Sequence, residues 1–131
     1  MLKLELVSPE AELLTQMVRE VVIPGAEGAF AAMPGHAPVL AGLRPGVLAI
    51  VDDTGASIDY FVRGGFAEVD ARRVVVLAER AIPLGELDTA ELEREIRWAQ
   101  EDLEDARDEE ERRKRQERLD FLKQLKDALK R

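Results

Sequence analysis

All nine glycines and all six prolines of this 131-residue chain lie before position 88; residues 88–131 hold neither. Glycine frees the backbone and proline locks φ while removing a donor, so both punctuate a chain into short, turned pieces. A segment without either is free to run as helix. The partition predicts two bodies, a turn-rich domain over 1–87 and a helical appendage over 88–131.

The first body reads as β structure. Leu2, Leu4 and Leu6 alternate with Lys3 and Glu5, as in a half-buried strand. Ser8-Pro9-Glu10 breaks the pattern, and Leu13-Leu14 is strand or turn. Val18 to Ile23 is rich in β-branched residues and ends at Pro24-Gly25. Gly28 to Met33, Val47 to Val51, Ile58 to Val62, Phe66 to Val69 and Val74 to Leu77 are further strands, with Ile82 before Pro83 as an edge piece. Asp52-Asp53-Thr54-Gly55 is a hairpin loop, and Gly64-Gly65 marks a bulge or a close backbone approach. Nine or ten short strands with turn signals between them predict a β-sandwich or barrel.

At Leu87 the period changes. Leu92, Ile96, Ala99, Leu103 and Ala106 follow helical 4-3-4-3 spacing. Asp88 is placed to cap that helix, with Glu91 as the reciprocal group and Leu87 with Leu92 as a staple across the cap. From Arg107 to Arg118 no residue is apolar; Leu119, Leu122, Leu125 and Leu129 then form a second stripe. Asp108 with Glu111 repeats the cap pattern. Against a break there stand Asp108/Arg112, Glu109/Arg113, Glu110/Lys114 and Glu111/Arg115, four acid-to-base pairs at spacing four, each worth about 0.2–0.5 kcal/mol of helix. Their sum rivals the cost of a turn, so the tail is either an antiparallel pair of helices (about 88–106 and 109–130) or one long helix. If it is a pair, its turn end buries little and frays first.

Chemistry is sparse. Two serines, one histidine and no cysteine leave almost no material for a nucleophilic triad or a zinc site. No glycine-rich phosphate loop occurs. The carboxylates fall mostly on helix surfaces, where solvated charge is the ordinary reading. Net charges of −5 over 1–87 and −3 over 88–131 argue against nucleic acid and against attraction to anionic lipid. The absence of cysteine fits a reducing compartment, and Met1 to Leu6 alternates like a strand rather than like a signal peptide. No metal, cofactor or catalytic residue is expected.

Gly28 to Leu43 carries no charge in a chain that is 35% charged. Pro34, Gly35 and Pro38 prevent helix there, so the segment is either buried or offered to a partner. His36, between Gly35 and Ala37, reads first as a loop-fixing residue that bonds backbone through one ring nitrogen, and second as a partner contact. Trp98 lies beside the Leu92/Ile96 stripe and either covers the sandwich or faces another subunit.

Val22-Ile23-Pro24-Gly25-Ala26-Glu27-Gly28, Pro34-Gly35-His36-Ala37-Pro38-Val39-Leu40, Leu43-Arg44-Pro45-Gly46, Gly64-Gly65-Phe66-Ala67-Glu68-Val69 and Val75-Val76-Leu77-Ala78-Glu79 occur in an order and spacing that resembles the epsilon subunits of bacterial rotary ATP synthases. The tail resembles that family in architecture only. The resemblance implies an α+β fold: a ten-stranded N-terminal β-sandwich, then a C-terminal antiparallel two-helix hairpin. It implies a non-catalytic rotor part that couples the gamma subunit to the ring of c subunits, peripheral on the cytoplasmic face of the bacterial inner membrane and not inserted in it. The family's tail lies folded or extends toward the alpha and beta catalytic subunits, where it slows ATP hydrolysis.

Carried across, Ala26, Glu27, Gly28, Ala29 and Phe30 match the c-ring contact loop; Ala29 stands where several relatives carry a charge. Pro34, Gly35, His36, Ala37 and Pro38 match a region near gamma. Some relatives bind ATP at the start of the tail through a motif with an arginine and an alanine where this chain has Glu91 and Leu92. Leu87, Asp88 and Arg94 are the remaining nucleotide candidates, but an anion in place of a phosphate-pairing cation opposes binding. The competing reading is a stand-alone β-sandwich binding module whose tail dimerises. A sugar-binding or isomerase-like barrel would need several histidines or aromatics around a pocket, and one histidine with 5% aromatic residues does not supply them.

Overall fold

Leu2, Leu4 and Leu6 are fully buried while Lys3 is exposed and Glu5 half-buried, so the opening alternation does form a one-sided strand. The computed structural model describes residues 1–130. Its strands are β1 (Leu2–Val7), β2 (Glu12–Gly25), β3 (Gly28–Ala32), β4 (Val39–Gly42), β5 (Gly46–Asp52), β6 (Ser57–Val69) and β7 (Arg73–Pro83). A 3-10 turn (Leu84–Glu86) follows, then helices α1 (Thr89–Glu104) and α2 (Glu109–Leu129). Two compact units result, Met1–Gly85 and a second one that begins at Glu86.

The first unit is a β-sandwich of seven strands, fewer than the ten expected. Their order is β1-β7-β6-β5-β2-β3; β1 also pairs β2, and β4 pairs β6. The count falls because long strands change partner without stopping. β2 pairs β1 over its first half, then β5 and β3 over its second, with a register shift between Val18 and Glu20. Leu13-Leu14 and Val18 to Ile23 are therefore one strand, and Pro24, which lacks a donor, still serves as an acceptor for the Arg44 N–H at 3.0 Å. Likewise β6 passes through Gly64-Gly65, with β5 on one side of the pair and β4 on the other. β7 runs on through Ile82 to Pro83. Val39–Gly42, by contrast, is a strand that the proline-rich pattern concealed.

The core joins both layers: Leu2, Leu4, Leu6, Val18, Val21, Ile23, Leu48, Ile50, Val62, Ala67, Val69, Val74 and Val76, all essentially without exposure. Along β6 the core-facing residues are odd-numbered after the glycine pair (Ala67, Val69) and even-numbered before it (Val62, with Tyr60 and Ile58 packed against the cluster). β7 shifts with it, from Val74, Val76 and Ala78 to Ala81. The double glycine thus lets one strand serve both layers while its apolar set stays inward. Both glycines have positive φ, 73° at Gly64 and 102° at Gly65. A Cβ at Gly65 would run into the Leu77 carbonyl, so close approach and backbone conformation both require glycine there.

In the second unit the chain breaks between the helices. Lys126 Nζ lies 3.7 Å from Glu93, and Arg115 Nε lies 3.4 Å from Asp102. A late residue of α2 meets an early one of α1, and an early one of α2 meets the last turn of α1, so the helices are antiparallel. Asp88 caps α1 by accepting from the Ala90 and Glu91 N–H groups at 2.9 and 3.3 Å. Asp108 caps α2 by accepting from Glu111 N–H at 2.8 Å. α1 ends two residues before the expected Ala106, where the Ala106 N–H turns back to the Leu103 carbonyl at 3.2 Å. Of the four spacing-four pairs, Glu110–Lys114 and Glu111–Arg115 form, at 3.4 and 3.6 Å; Arg113 instead reaches Glu117 at 3.2 Å.

Leu92, Ile96 and Ala99 are buried on α1, and Leu119, Leu122 and Leu125 on α2. Phe121 and Ala128 are buried as well, which widens the apolar arc of α2 beyond the expected stripe. Among the described residues none between Ala99 and Leu119 is buried. With nothing apolar to hold it, the turn end is expected to exchange its amide hydrogens first. Exchange measured residue by residue should run faster over 100–112 than over 119–126. Equal protection along both helices would contradict this.

Candidate functional site: a loop end and an open sheet face

The uncharged segment, with the turn before it, supplies β3, β4 and a turn at each end of β3. Ala26-Glu27 forms a two-residue turn between β2 and β3, closed by the pairing of Gly25 with Gly28. Gly28 sits at φ 135°, open to solvent. Ala26, Glu27, Gly28 and Ala29 are exposed, and Phe30 is half-buried against the core. The Ala26 N–H donates to the Gly42 carbonyl at 2.8 Å, which ties this turn to the end of β4.

The second loop is pinned by its own residues. Pro34-Gly35 occupies the centre of a turn in which the His36 N–H donates to the Met33 carbonyl at 3.1 Å, with Gly35 at φ 90°. Proline then positive-φ glycine is the sequence of a type II turn. The Gly35 N–H donates to the Ala71 carbonyl at 2.8 Å and anchors the loop to the β6–β7 turn. His36 Nδ1 lies 2.7 Å from the Ala37 carbonyl, a bond in which the ring N–H donates. The ring also stacks at a tilt 6.0 Å from Phe30. His36 thus fixes the loop and, through Phe30, touches the other candidate stretch: Pro34–Pro38 meets Ala26–Phe30 at these two rings, while the Ala26–Glu27 turn is tied to Gly42 and the Pro34–Gly35 turn to Ala71. Pro34, Gly35, Ala37 and Pro38 are exposed.

From that loop the chain enters β4 and a feature the sequence did not announce. Gly42 pairs Phe66, which pairs Leu77, which pairs Val7; Leu40 pairs Glu68, which pairs Val75. Directly paired residues share a sheet face, so Leu40, Phe66, Leu77, Val75 and Val7 all point away from the core. Leu40 is 68% exposed, Phe66 41% and Leu77 36%. Beyond them the face turns polar, with Arg73 bonded to Glu5 at 2.8 Å and Lys3 3.4 Å from the same carboxylate. That arginine, and secondarily Lys3, holds the Glu5 carboxyl below its ordinary range.

The nucleotide candidates belong to the second unit. Leu87 is half-buried, and Asp88, Glu91 and Arg94 are exposed. The Asp88 carboxylate already occupies the N–H groups that open α1, and Glu91 stands in the same first turn. No group of three or more metal-binding side chains occurs among the described residues, and no helix is long and apolar enough to cross a membrane.

Residues 1–84 match the family of the ATP synthase Delta/Epsilon chain, beta-sandwich domain. Over 128 residues the chain is 46% identical to an ATP synthase epsilon chain from Parvibaculum lavamentivorans, covering 98% of this chain and 97% of that one. The chain belongs to the ATP synthase epsilon-chain family. A second relative, the epsilon chain of Rhodospirillum centenum, is 48% identical over 110 residues, 80% of this chain and 75% of its own. Among solved structures, a chain of the Euglena gracilis mitochondrial ATP synthase, in an assembly described as OSCP/F1/c-ring in rotational state 1, superposes with a TM-score of 0.78 at 28% identity, covering 98% of this chain and 81% of that one.

Epsilon-chain membership accounts for the sandwich. It also directs attention to surfaces rather than pockets. Sequence reasoning found both loops through their glycines and prolines. It missed Leu40, Phe66 and Leu77 as one face, because three residues far apart in sequence become neighbours only through the β4–β6–β7 register. The signal that could have found them is the alternation of Leu40 with Ala41 and of Phe66 with Ala67, where the larger residue is outside.

Proposed function

We propose that this chain is a non-catalytic central-stalk subunit, coupling the gamma subunit to the c ring of a proton-translocating ATP synthase at the cytoplasmic face of a bacterial inner membrane. The observation that carries the reading is the pair of pinned stretches, Ala26–Phe30 and Pro34–Pro38, that flank β4 and the exposed apolar face of Leu40, Phe66 and Leu77. Such a surface is built to be covered. The family relation supplies the partners, and the Euglena assembly places a similar chain in company with F1 and a c-ring. The Ala26–Phe30 turn is assigned to the c ring. Pro34–Pro38 and the Leu40–Phe66–Leu77 face are assigned to gamma, and the tail is free to reach the alpha and beta subunits. Because Arg107 to Arg118 is devoid of apolar residues, we assign the tail no strong brake on hydrolysis.

Full-length tagged chain expressed in a host that carries the genes for its own ATP synthase should recover gamma and the c ring together, and should run as a monomer when purified alone. Recovery of a concentration-dependent homodimer without gamma would favour the stand-alone module instead. No nucleotide cofactor is assigned, since Asp88 and Glu91 set two carboxylates where phosphate would have to sit. Calorimetry with ATP at micromolar concentration is expected to show no heat of binding, and a saturable isotherm would overturn that assignment.

A further inference from the structure

We propose that Arg115 is a latch for the folded form of the tail, engaged when α1 and α2 are antiparallel and released when they join into one helix. Its guanidinium bridges the hairpin where burial does least. One terminal nitrogen, Nη1, donates to the Asp102 carbonyl at 2.7 Å, and Nε lies 3.4 Å from the Asp102 carboxylate. Nη2 lies 3.6 Å from Glu111, whose carboxylate in turn accepts the Arg107 N–H at 3.0 Å. Asp102 is in the last turn of α1, and its carbonyl, which also takes the Asp105 N–H at 3.2 Å, accepts Arg115 as a second donor while its carboxylate pairs the charge. Its side chain is 28% exposed, the most sheltered of the cations that form ion pairs around the turn.

The contact discriminates between two arrangements of the same residues. In a continuous helix the Asp102 carbonyl would take the Ala106 N–H and the Leu103 carbonyl the Arg107 N–H. Asp102 and Arg115 would then stand about 20 Å apart along the axis, beyond reach of each other. The Glu111–Arg115 pair, at spacing four, survives in both forms. Only the Asp102 half is specific to the hairpin, and an interaction made in one of two states shifts the balance toward that state. The spacing-four pairs of α2 favour helix in either form, which is why a specific cross-helix contact is needed to choose.

The latch belongs to the isolated chain, so its failure would leave the stalk assignment standing. The chain has no cysteine, so spin labels can be placed on the full-length protein through Arg97→Cys and Lys123→Cys, exposed positions that the Glu93–Lys126 and Asp102–Arg115 pairs set at about the same level of the hairpin. One helix would separate them by about 39 Å. The label-to-label distance distribution should show a short peak in the otherwise native chain. Arg115→Glu, which sets a carboxylate against Asp102 and Glu111, should raise the population near the long distance at least tenfold with helical circular dichroism retained. Arg113→Ala, which removes a cation that pairs only within α2, should leave the short peak as it was. An unchanged distribution in Arg115→Glu would overturn the proposal. So would a broad distribution with lost helicity, or an equal shift in Arg113→Ala.

Discussion

Replacing Gly65 by alanine is expected to cost the sandwich about 3–5 kcal/mol, among the largest effects of a single methyl group. Two penalties coincide. The backbone is at φ 102°, which a side chain resists, and the new Cβ would collide with the Leu77 carbonyl on the neighbouring strand. Relief would require β6 and β7 to part at the point where both switch their core-facing set. Gly35 separates the two causes: its φ is 90°, yet nothing lies within 4 Å of the Cβ position. Gly35→Ala should therefore lose only about 1–2 kcal/mol, the conformational part alone. A unit of 85 residues commands roughly 4–13 kcal/mol in all. Gly65→Ala should then lower the melting temperature by more than about 12 °C, or leave the protein insoluble. Urea unfolding of both variants decides the matter: equal losses would show that close approach contributes nothing.

The same glycine pair shows what a sequence can and cannot disclose. Two adjacent glycines inside an apolar pattern announce a special backbone, and the bulge or close approach expected at Gly64-Gly65 is what β6 and β7 contain. They do not announce that the strand continues. A break and a change of partner leave the same mark on a local pattern, because both interrupt a period of two. This is why the pattern reads as nine or ten strands where seven are present, and why Leu13 to Ile23 looked like two pieces. The tail was legible for a different reason. Helical period and cap chemistry are local, so Asp88, Asp108 and the leucine stripe could be placed directly. The choice between hairpin and single helix was not local, since it turns on Arg115 meeting Asp102 thirteen positions away. The loop end lay between these cases. Pro34-Gly35 specified its turn, whereas the meeting of Phe30 with His36 needed the fold.

Placing glutamate at both Leu40 and Phe66 is expected to weaken retention of this chain by the gamma subunit about 100-fold or more while leaving its fold intact. The two side chains are diagonal neighbours on the outer face, and neither supports the core. Exposed substitutions of that kind normally alter stability by no more than about 0.5 kcal/mol. Covering two large apolar side chains, in contrast, yields about 1.5–3 kcal/mol for each one fully withdrawn from water. Two carboxylates buried there without partners would add a desolvation penalty to that loss. Each 1.4 kcal/mol is a factor of about ten in affinity, so the combined change is large even if the side chains are covered only in part. Met17→Glu is the matched comparison. It introduces one such carboxylate at a residue 50% exposed on the same side of the sheet, but beside Lys3 and beyond the Glu5–Arg73 pair. Co-purification of gamma should fail for the double variant and persist for Met17→Glu, with unfolding midpoints alike in all three proteins. Normal recovery of gamma by the double variant would move the docking surface off this face and back to the loop end alone.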